Sequence, residues 1–128
     1  MNTCEFCEMM KNRPEEFVLE SDNFTVHKSN FPVSPGHSEI LPKNHIESFF
    51  DLSDGEVIEL YNLIKEAKSQ LDEKFKPDAY NIGVNDGRAA GRTIDHLHIH
   101  LIPRYEGDTP NPRGGIRNIF PDKADYTK

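Results

Sequence analysis

At 128 residues with a formal net charge of −7, the chain has room for one domain with a real core and needs no disulfides to hold it. The acidic balance excludes a general duplex-binding surface, which wants a basic stripe, so a phosphate-bearing partner should be small and locally held. No apolar run is long enough for a signal peptide or a bilayer span, and the expectation is a cytoplasmic protein with no membrane partner.

In chain order, the first feature is Cys4-x-x-Cys7, which holds the only two cysteines. A lone CxxC is too little for a disulfide framework, and reads as half of a metal site or as a redox pair. After Pro14, FVLE at 17–20 and FTVHK at 24–28 flank the turn-prone Ser21-Asp22-Asn23 and predict a hairpin. NFPVSPGH at 30–37 carries two prolines and a glycine and predicts a loop, and HSEILP at 37–42 predicts a strand closed by proline. A long helix is predicted from Ser53, whose hydroxyl caps the first turn while Glu56 completes a capping box. Its apolar stripe is Val57, Tyr61, Ile64, Ala67 or Lys68, Leu71 and Phe75, and Pro77 ends it. The charges Lys65, Glu66 and Lys68 mark its exposed face. AYNIGV at 79–84 predicts a strand, NDGRAAGRT at 85–93 a glycine-bearing loop, and an irregular tail begins at about 105. This order permits an α+β domain, an antiparallel sheet with helices packed on one face.

Between that loop and the tail lies HLHIHLIPR at 96–104, with three of the six histidines on alternate positions. Alternation predicts a half-buried strand, with Leu97, Ile99 and Leu101 in the core and His96, His98 and His100 in a row on the other face. A histidine-rich surface strand is one reading. A metal site is another: same-face neighbours stand roughly 6.5 to 7 Å apart, which disfavours all three on one ion and leaves one or two able to ligate. The third is nucleophilic catalysis, in which a neutral imidazole attacks phosphorus while a second histidine protonates the leaving oxygen. That chemistry wants a phosphate cradle. Upstream, Gly91 permits close backbone approach, Arg92 brings charge, and Asn85 and Thr93 donate hydrogen bonds.

These residues resemble the histidine triad (HIT) family, whose mark is His-x-His-x-His followed by two apolar residues, here His96 to Ile102. The resemblance extends upstream through NDGRAAGRT to PVSPGHSEILPKNH at 32–45 and covers most of the chain. It implies a single HIT domain over 1–128, with a five-stranded antiparallel sheet, one long helix and a short N-terminal helix. It implies that His98 is the nucleophile that takes a nucleotidyl group, His100 its phosphate-side partner and His37 a further histidine of that site. It places Asn85, Gly91, Arg92 and Thr93 on phosphate contacts, with Ser29 and Asn30 on the ribose side. Some branches bind a structural zinc through residues that correspond to Cys4, Cys7, His45 and His96, two thiolates and two imidazoles that make a closed site. A redox CxxC, the alternative, usually sits in a βαβ pattern not found at this N-terminus. Homodimers that join two sheets are common in the family.

Three positions depart from the family pattern. Ser29 stands where an acidic residue often holds the ribose, Glu39 where an aliphatic residue is common, and Arg92 where glutamine is frequent. The first two bear on nucleoside preference, and Arg92 favours a more anionic substrate. The tail PRGGIR at 112–117 resembles that of a bacterial branch similar to dinucleoside polyphosphate hydrolases, where Arg113 and Arg117 would reach a polyphosphate, or the tail would be disordered or pack in a dimer. Other residues point to structure: His27 to a surface or cross-strand position, Phe6 and Met9 to core, Arg104 to a solvated charge. The expected activity is hydrolysis of a phosphoanhydride or phosphoramidate at the α-phosphorus of a nucleotide through a nucleotidyl-histidine. A nucleotidyltransferase and a nucleotide-binding module of weak activity are the alternatives.

Overall fold

Two turns of helix open the described part of the chain. In the computed structural model, which describes residues 4–127, α1 runs Glu5–Asn12 and is capped by Cys4, whose Sγ accepts the Cys7 N–H at 3.3 Å. Glu5 and Glu8 lie in its first turn, where carboxylates suit the positive end of the helix dipole. Phe6 and Met9, three apart on one face, are buried.

The strands fall where alternation and turn residues predict them: β1 Phe17–Glu20, β2 Phe24–Lys28, β3 Ser38–Pro42. Then comes α2, Asp54–Phe75, with both bonds of the Ser53–Glu56 capping box formed and Lys76 in the left-handed region ahead of Pro77. β4 Ala79–Gly83 and β5 Ile99–Arg104 complete a five-stranded sheet in the order β1-β2-β3-β5-β4. Every neighbouring pair is antiparallel. Gly36 has φ +89° and a Cβ there would meet Phe75, Pro103 and Leu71 at 3.0–3.2 Å, so the Pro-Gly-His turn needs its glycine for both conformation and space.

Three expectations are corrected. The helices do not share one face: α2 packs Leu60, Leu63 and Ala67 on Phe24, Val26, Ile40, Leu97, Ile99 and Leu101, whereas α1 packs Phe6 and Met9 with Leu41 on the opposite side. Element order does not say which face a helix covers, and α1 offers too few apolar residues to announce itself. Secondly, the buried stripe of α2 lies a step round from the expected one. Val57 and Tyr61 are exposed, and Leu60 and Leu63 take the core face, because aliphatic side chains fill it without the partner a buried tyrosine hydroxyl would demand. Truncating Leu63 to Ala should cost about 2–5 kcal/mol. Thirdly, the paired part of β5 starts only at Ile99. His96 to His98 lead into it with the Leu97 N–H bonded to the Ile46 carbonyl, yet the side chains keep alternating, since Leu97, Ile99 and Leu101 all enter the α2 core.

The histidine face is therefore roofed by α1. His27, His96 and His98 are buried, and the Phe6 ring meets all three edge-on at centroid distances of 5.0–5.9 Å. His27 is thus cross-strand but not on the surface. Among the described residues, no helix is long and apolar enough to cross a membrane.

Candidate active site and metal centre

Where the chain enters β5, four side chains from three distant segments converge. Cys4 Sγ lies 3.3 Å and Cys7 Sγ 3.5 Å from His96 Nδ1, and Cys7 Sγ is 3.6 Å from His45 Nδ1. A tetrahedral zinc at about 2.3 Å from sulfur and about 2.0–2.1 Å from nitrogen would space such ligands by about 3.6 Å. The tautomer agrees as well. His96 Nε2–H donates to the Pro42 carbonyl at 2.8 Å, which leaves the Nδ1 lone pair facing the sulfurs. Burial lowers the pKa of His96, so the ring is neutral, as a ligand must be. Burial and the neighbouring Cys4 push the Cys7 thiol up to about 11. A redox CxxC needs an acidified thiol, whereas this pair needs a cation to draw off its protons. The chain brings together all four expected ligands, and the donor set fits zinc.

Two residues further along, the wiring is reversed. His98 Nδ1–H donates to the His96 carbonyl at 2.8 Å, so its lone pair is on Nε2. His37, held by the Pro-Gly-His turn, accepts the Val33 N–H on Nδ1 at 3.1 Å and therefore carries its proton on Nε2. That Nε2–H donates to His100 Nδ1 at 3.0 Å, which leaves His100 with an outward Nε2–H donor. The His98 and His100 rings are 5.2 Å apart. The three expected catalytic histidines are assembled as one acceptor, Nε2 of His98, beside one relayed donor. Burial lowers the pKa values of both His37 and His100, and the nearby Glu39 carboxylate works against that lowering.

The loop at 85–93 is less of a cradle than its glycines suggest. It turns through a short 3₁₀ helix, Arg88–Ala90, and closes on itself through Gly91 N–H to the Arg88 carbonyl and Arg92 N–H to the Gly87 carbonyl. Asn85, Gly91 and Thr93 are exposed. The Arg92 guanidinium is taken up by protein groups: it bonds Asp95 at 3.1 Å and the Glu47 carbonyl at 3.1 Å, residues one and two positions from the candidate metal ligands His96 and His45. On the ribose side, Ser29 Oγ accepts the Phe31 N–H and reaches Glu39 at 3.4 Å, and Asn30 is exposed with its amide 3.6 Å from Met9 Sδ.

The tail is ordered by its own residues. Gly114 has φ +87° and a Cβ there would sit 2.0 Å from the Ala124 carbonyl oxygen, so the glycine is obligatory. Arg117 donates to the Lys123 and Ala124 carbonyls and Arg113 to Thr127. In this structure both arginines bind the tail itself. Arg104 pairs with Asp108 through two bonds of 2.8 Å and also reaches Asn81, so it is not merely a solvated charge.

Reading the residues in order missed Glu39 as a partner of the triad. It is buried, with Oε1 2.8 Å from His27 Nε2 and Oε2 3.7 Å from His100 Nδ1. The His27 contact is close in distance but lies outside hydrogen-bond geometry. A usable signal was present: with the loop closing at Lys28 opposite Ser38, antiparallel register puts His27 across from Glu39.

Residues 10–107 match the model of the HIT domain family. An uncharacterised HIT-like protein of Methanocaldococcus jannaschii is 36% identical over 94% of this chain and 95% of its own length. A bis(5′-adenosyl)-triphosphatase of Dictyostelium discoideum is 36% identical over 62% of this chain and 54% of its own. The crystal structure of a zinc-bound histidine triad family protein from Mycobacterium smegmatis superposes with a TM-score of 0.75 at 29% identity, covering 85% of this chain and 80% of the other.

Proposed function

The chain belongs to the HIT family, and from that premise we propose that it hydrolyses a phosphoanhydride or phosphoramidate of a nucleotide at the α-phosphorus. One observation carries the reading. The His96 carbonyl holds the His98 Nδ1–H, which fixes the ring's orientation and puts the lone pair of its neutral form on Nε2, the atom that attacks.

The Nε2 electron pair forms the P–N bond, and the bond to the leaving group breaks with its pair going to the departing oxygen or nitrogen. The histidine cluster supplies a proton to that atom. Water then attacks phosphorus, the P–N pair returns to Nε2, and a nucleoside monophosphate leaves. Thr93 and Asn85, exposed on the adjoining loop, are the side-chain donors for the phosphate, Gly91 keeps the approach open, and Ser29 and Asn30 border the sugar. Arg92 serves this loop by holding it to Asp95 and Glu47. Cys4, Cys7, His45 and His96 would hold a zinc ion. A closed site of that kind supplies stability to the fold and no activated water. The sheet ends in β4 as a free edge with Ile82 exposed, which supports continuation into a second copy of the chain.

The test is a panel of dinucleoside polyphosphates and nucleoside phosphoramidates, with mass spectrometry of the quenched enzyme. A nucleotidyl adduct on His98 and release of a monophosphate are expected. Turnover that persists undiminished in His98→Ala would end the mechanism. Transfer of the group to added acceptor phosphates in preference to water would make the enzyme a transferase.

A further inference from the structure

Three adjacent strands set three titratable side chains on a single rung of the sheet. His27 on β2 pairs with Glu39 on β3, and Glu39 pairs with His100 on β5. Directly opposite residues in an antiparallel ladder point to the same face, so this row lies beside the catalytic histidines. His27 and Glu39 are buried, and Oε1 of the carboxylate faces His27 while Oε2 faces His100 Nδ1 at 3.7 Å.

A buried carboxylate costs stability unless it has a function or a partner. Burial alone pushes the Glu39 carboxyl up, but the His27 imidazole, with His100 and His98 beyond it, outweighs burial and holds it below the ordinary range. It is therefore ionised next to the histidines. The groups facing this carboxylate are His27 from β2, Ser29 from the loop after β2, His37 from the turn before β3, His98 from the segment leading into β5, and His100 from β5. β4 presents only Gly83 opposite His100. α1 brings Phe6 to the histidine face, while its Glu5 and Glu8 are exposed.

His37, Glu39 and His100 could also be taken as a second metal set, since their ligand atoms lie within 4.8 Å of one another. The hydrogen bonds exclude that. Val33 N–H occupies His37 Nδ1, so His37 Nε2 bears a proton and has no lone pair to give. The same logic exposes a need. When His100 gains a proton, its Nδ1 can no longer accept from His37 and must find an acceptor. Among the described residues, Glu39 offers the only carboxylate within 4.0 Å.

We infer that Glu39, braced by His27, is a positioning residue for nucleotidyl transfer. Its carboxylate takes the Nδ1–H of protonated His100 and so lets that ring act as the acid. The inference rests on the hydrolase reading above. In the first step, His98 Nε2 forms the bond to phosphorus, the leaving atom keeps the electron pair of the broken bond, and it takes the Nε2 proton of His100. His100 is then neutral, with Nδ1–H still on Glu39. In the second step, Nε2 of His100 accepts the proton of the attacking water, which restores the starting charge.

The experiment uses the full-length, zinc-loaded protein and Glu39→Gln. Nitrogen NMR of the imidazoles should show the His100 midpoint lower by about one pH unit or more in the variant, and the alkaline limb of kcat should move down with it. Activity should fall about 100-fold on a nucleoside phosphoramidate, whose amine must be protonated. In the first step on a nucleoside 5′-(4-nitrophenyl phosphate), read as the burst of nitrophenolate, the leaving group departs as an anion and the loss should stay below about threefold. If Glu39→Gln folds poorly, His27→Phe/Glu39→Leu replaces the buried polar pair by apolar residues, which folds tolerate well, and the same substrate contrast is expected. With an active wild type, an unshifted His100 midpoint in the variant, or equal losses in the first step on both substrates, overturns this proposal alone. A wild type that turns over neither substrate overturns the hydrolase reading and the proposal with it.

Discussion

His96 and His98 are the same residue two positions apart, on the same face and under the same Phe6 ring, yet they are prepared for opposite work. His96 gives Nε2–H to the Pro42 carbonyl and keeps Nδ1 for the cysteines. His98 gives Nδ1–H to the His96 carbonyl and leaves the lone pair on Nε2, the atom proposed to attack phosphorus. The backbone, by the choice of which ring nitrogen a carbonyl holds, sorts the proposed ligand from the proposed nucleophile. Side-chain type and spacing alone could not.

The largest effect should come from breaking the nucleophile end. His98→Ala should lose at least about 10⁴-fold in kcat while zinc content and melting temperature stay near those of the wild type. Steady-state hydrolysis and metal analysis on one preparation check both halves. Loss of zinc alongside activity would mean that the two ends of the strand are not separable.

Breaking the other end should give the converse. Cys7→Ser should lower zinc content and melting temperature together, the latter by roughly 10 °C or more, because the energy of binding to a structural site is also folding energy. Full zinc retention in that variant would sink the metal assignment. The residual activity of whatever stays folded should exceed that of His98→Ala by orders of magnitude.

A smaller effect follows from pH. Burial holds His37 and His100 below the ordinary 6.5. The unfolded chain therefore binds protons at a pH where the folded chain does not. Their contribution is fully present above about 6.5 and is lost as pH falls from there toward the folded values. Glu39, held below 4.5, adds a loss at lower pH, since its stabilisation is present above about 4.5 and disappears as the carboxylate protonates. Melting temperature followed from about pH 7.5 to 5 with zinc in excess should fall in the wild type and fall less in His37→Gln/His100→Asn. Parallel curves for the two proteins would remove these rings as the cause.

Much of this molecule was legible in the order of its residues. The first three strands lie between the prolines and turn residues that mark them, and the Ser53–Glu56 box starts α2 where both of its hydrogen bonds are made. The two histidine-bearing sets are also assembled from the positions that the triad and the CxxC imply. Less legible was what depends on a third dimension. Which face α1 covers, which of two overlapping stripes α2 buries, and which carbonyl each imidazole meets follow from packing and register. Glu39 stood out in the sequence only as a departure from an aliphatic norm. Its partners became visible once three strands were laid side by side.

Arg92 is where the two ends meet, and it yields the finest prediction. As a residue of the loop beside the triad it was expected to hold phosphate, but its guanidinium spans Asp95, next to His96, and Glu47, whose carboxylate lies 3.7 Å from His45 Nε2. It thus closes a ring of contacts behind the metal ligands, with its side chain only 12% exposed. If this ring is its task, Arg92→Ala should weaken zinc binding by about tenfold and cost about 1 kcal/mol in stability, while KM for a nucleotide substrate changes by less than about threefold. A phosphate ligand would behave otherwise: removing a charged hydrogen bond to substrate costs about 1.5–3 kcal/mol and would raise KM by one to two orders of magnitude with zinc affinity intact. Zinc titration against a chelator and substrate saturation curves on the same variant separate the two. The first outcome would assign this half-buried cation of the loop to the stability of the metal end, leaving the chemistry to histidines, Thr93 and Asn85.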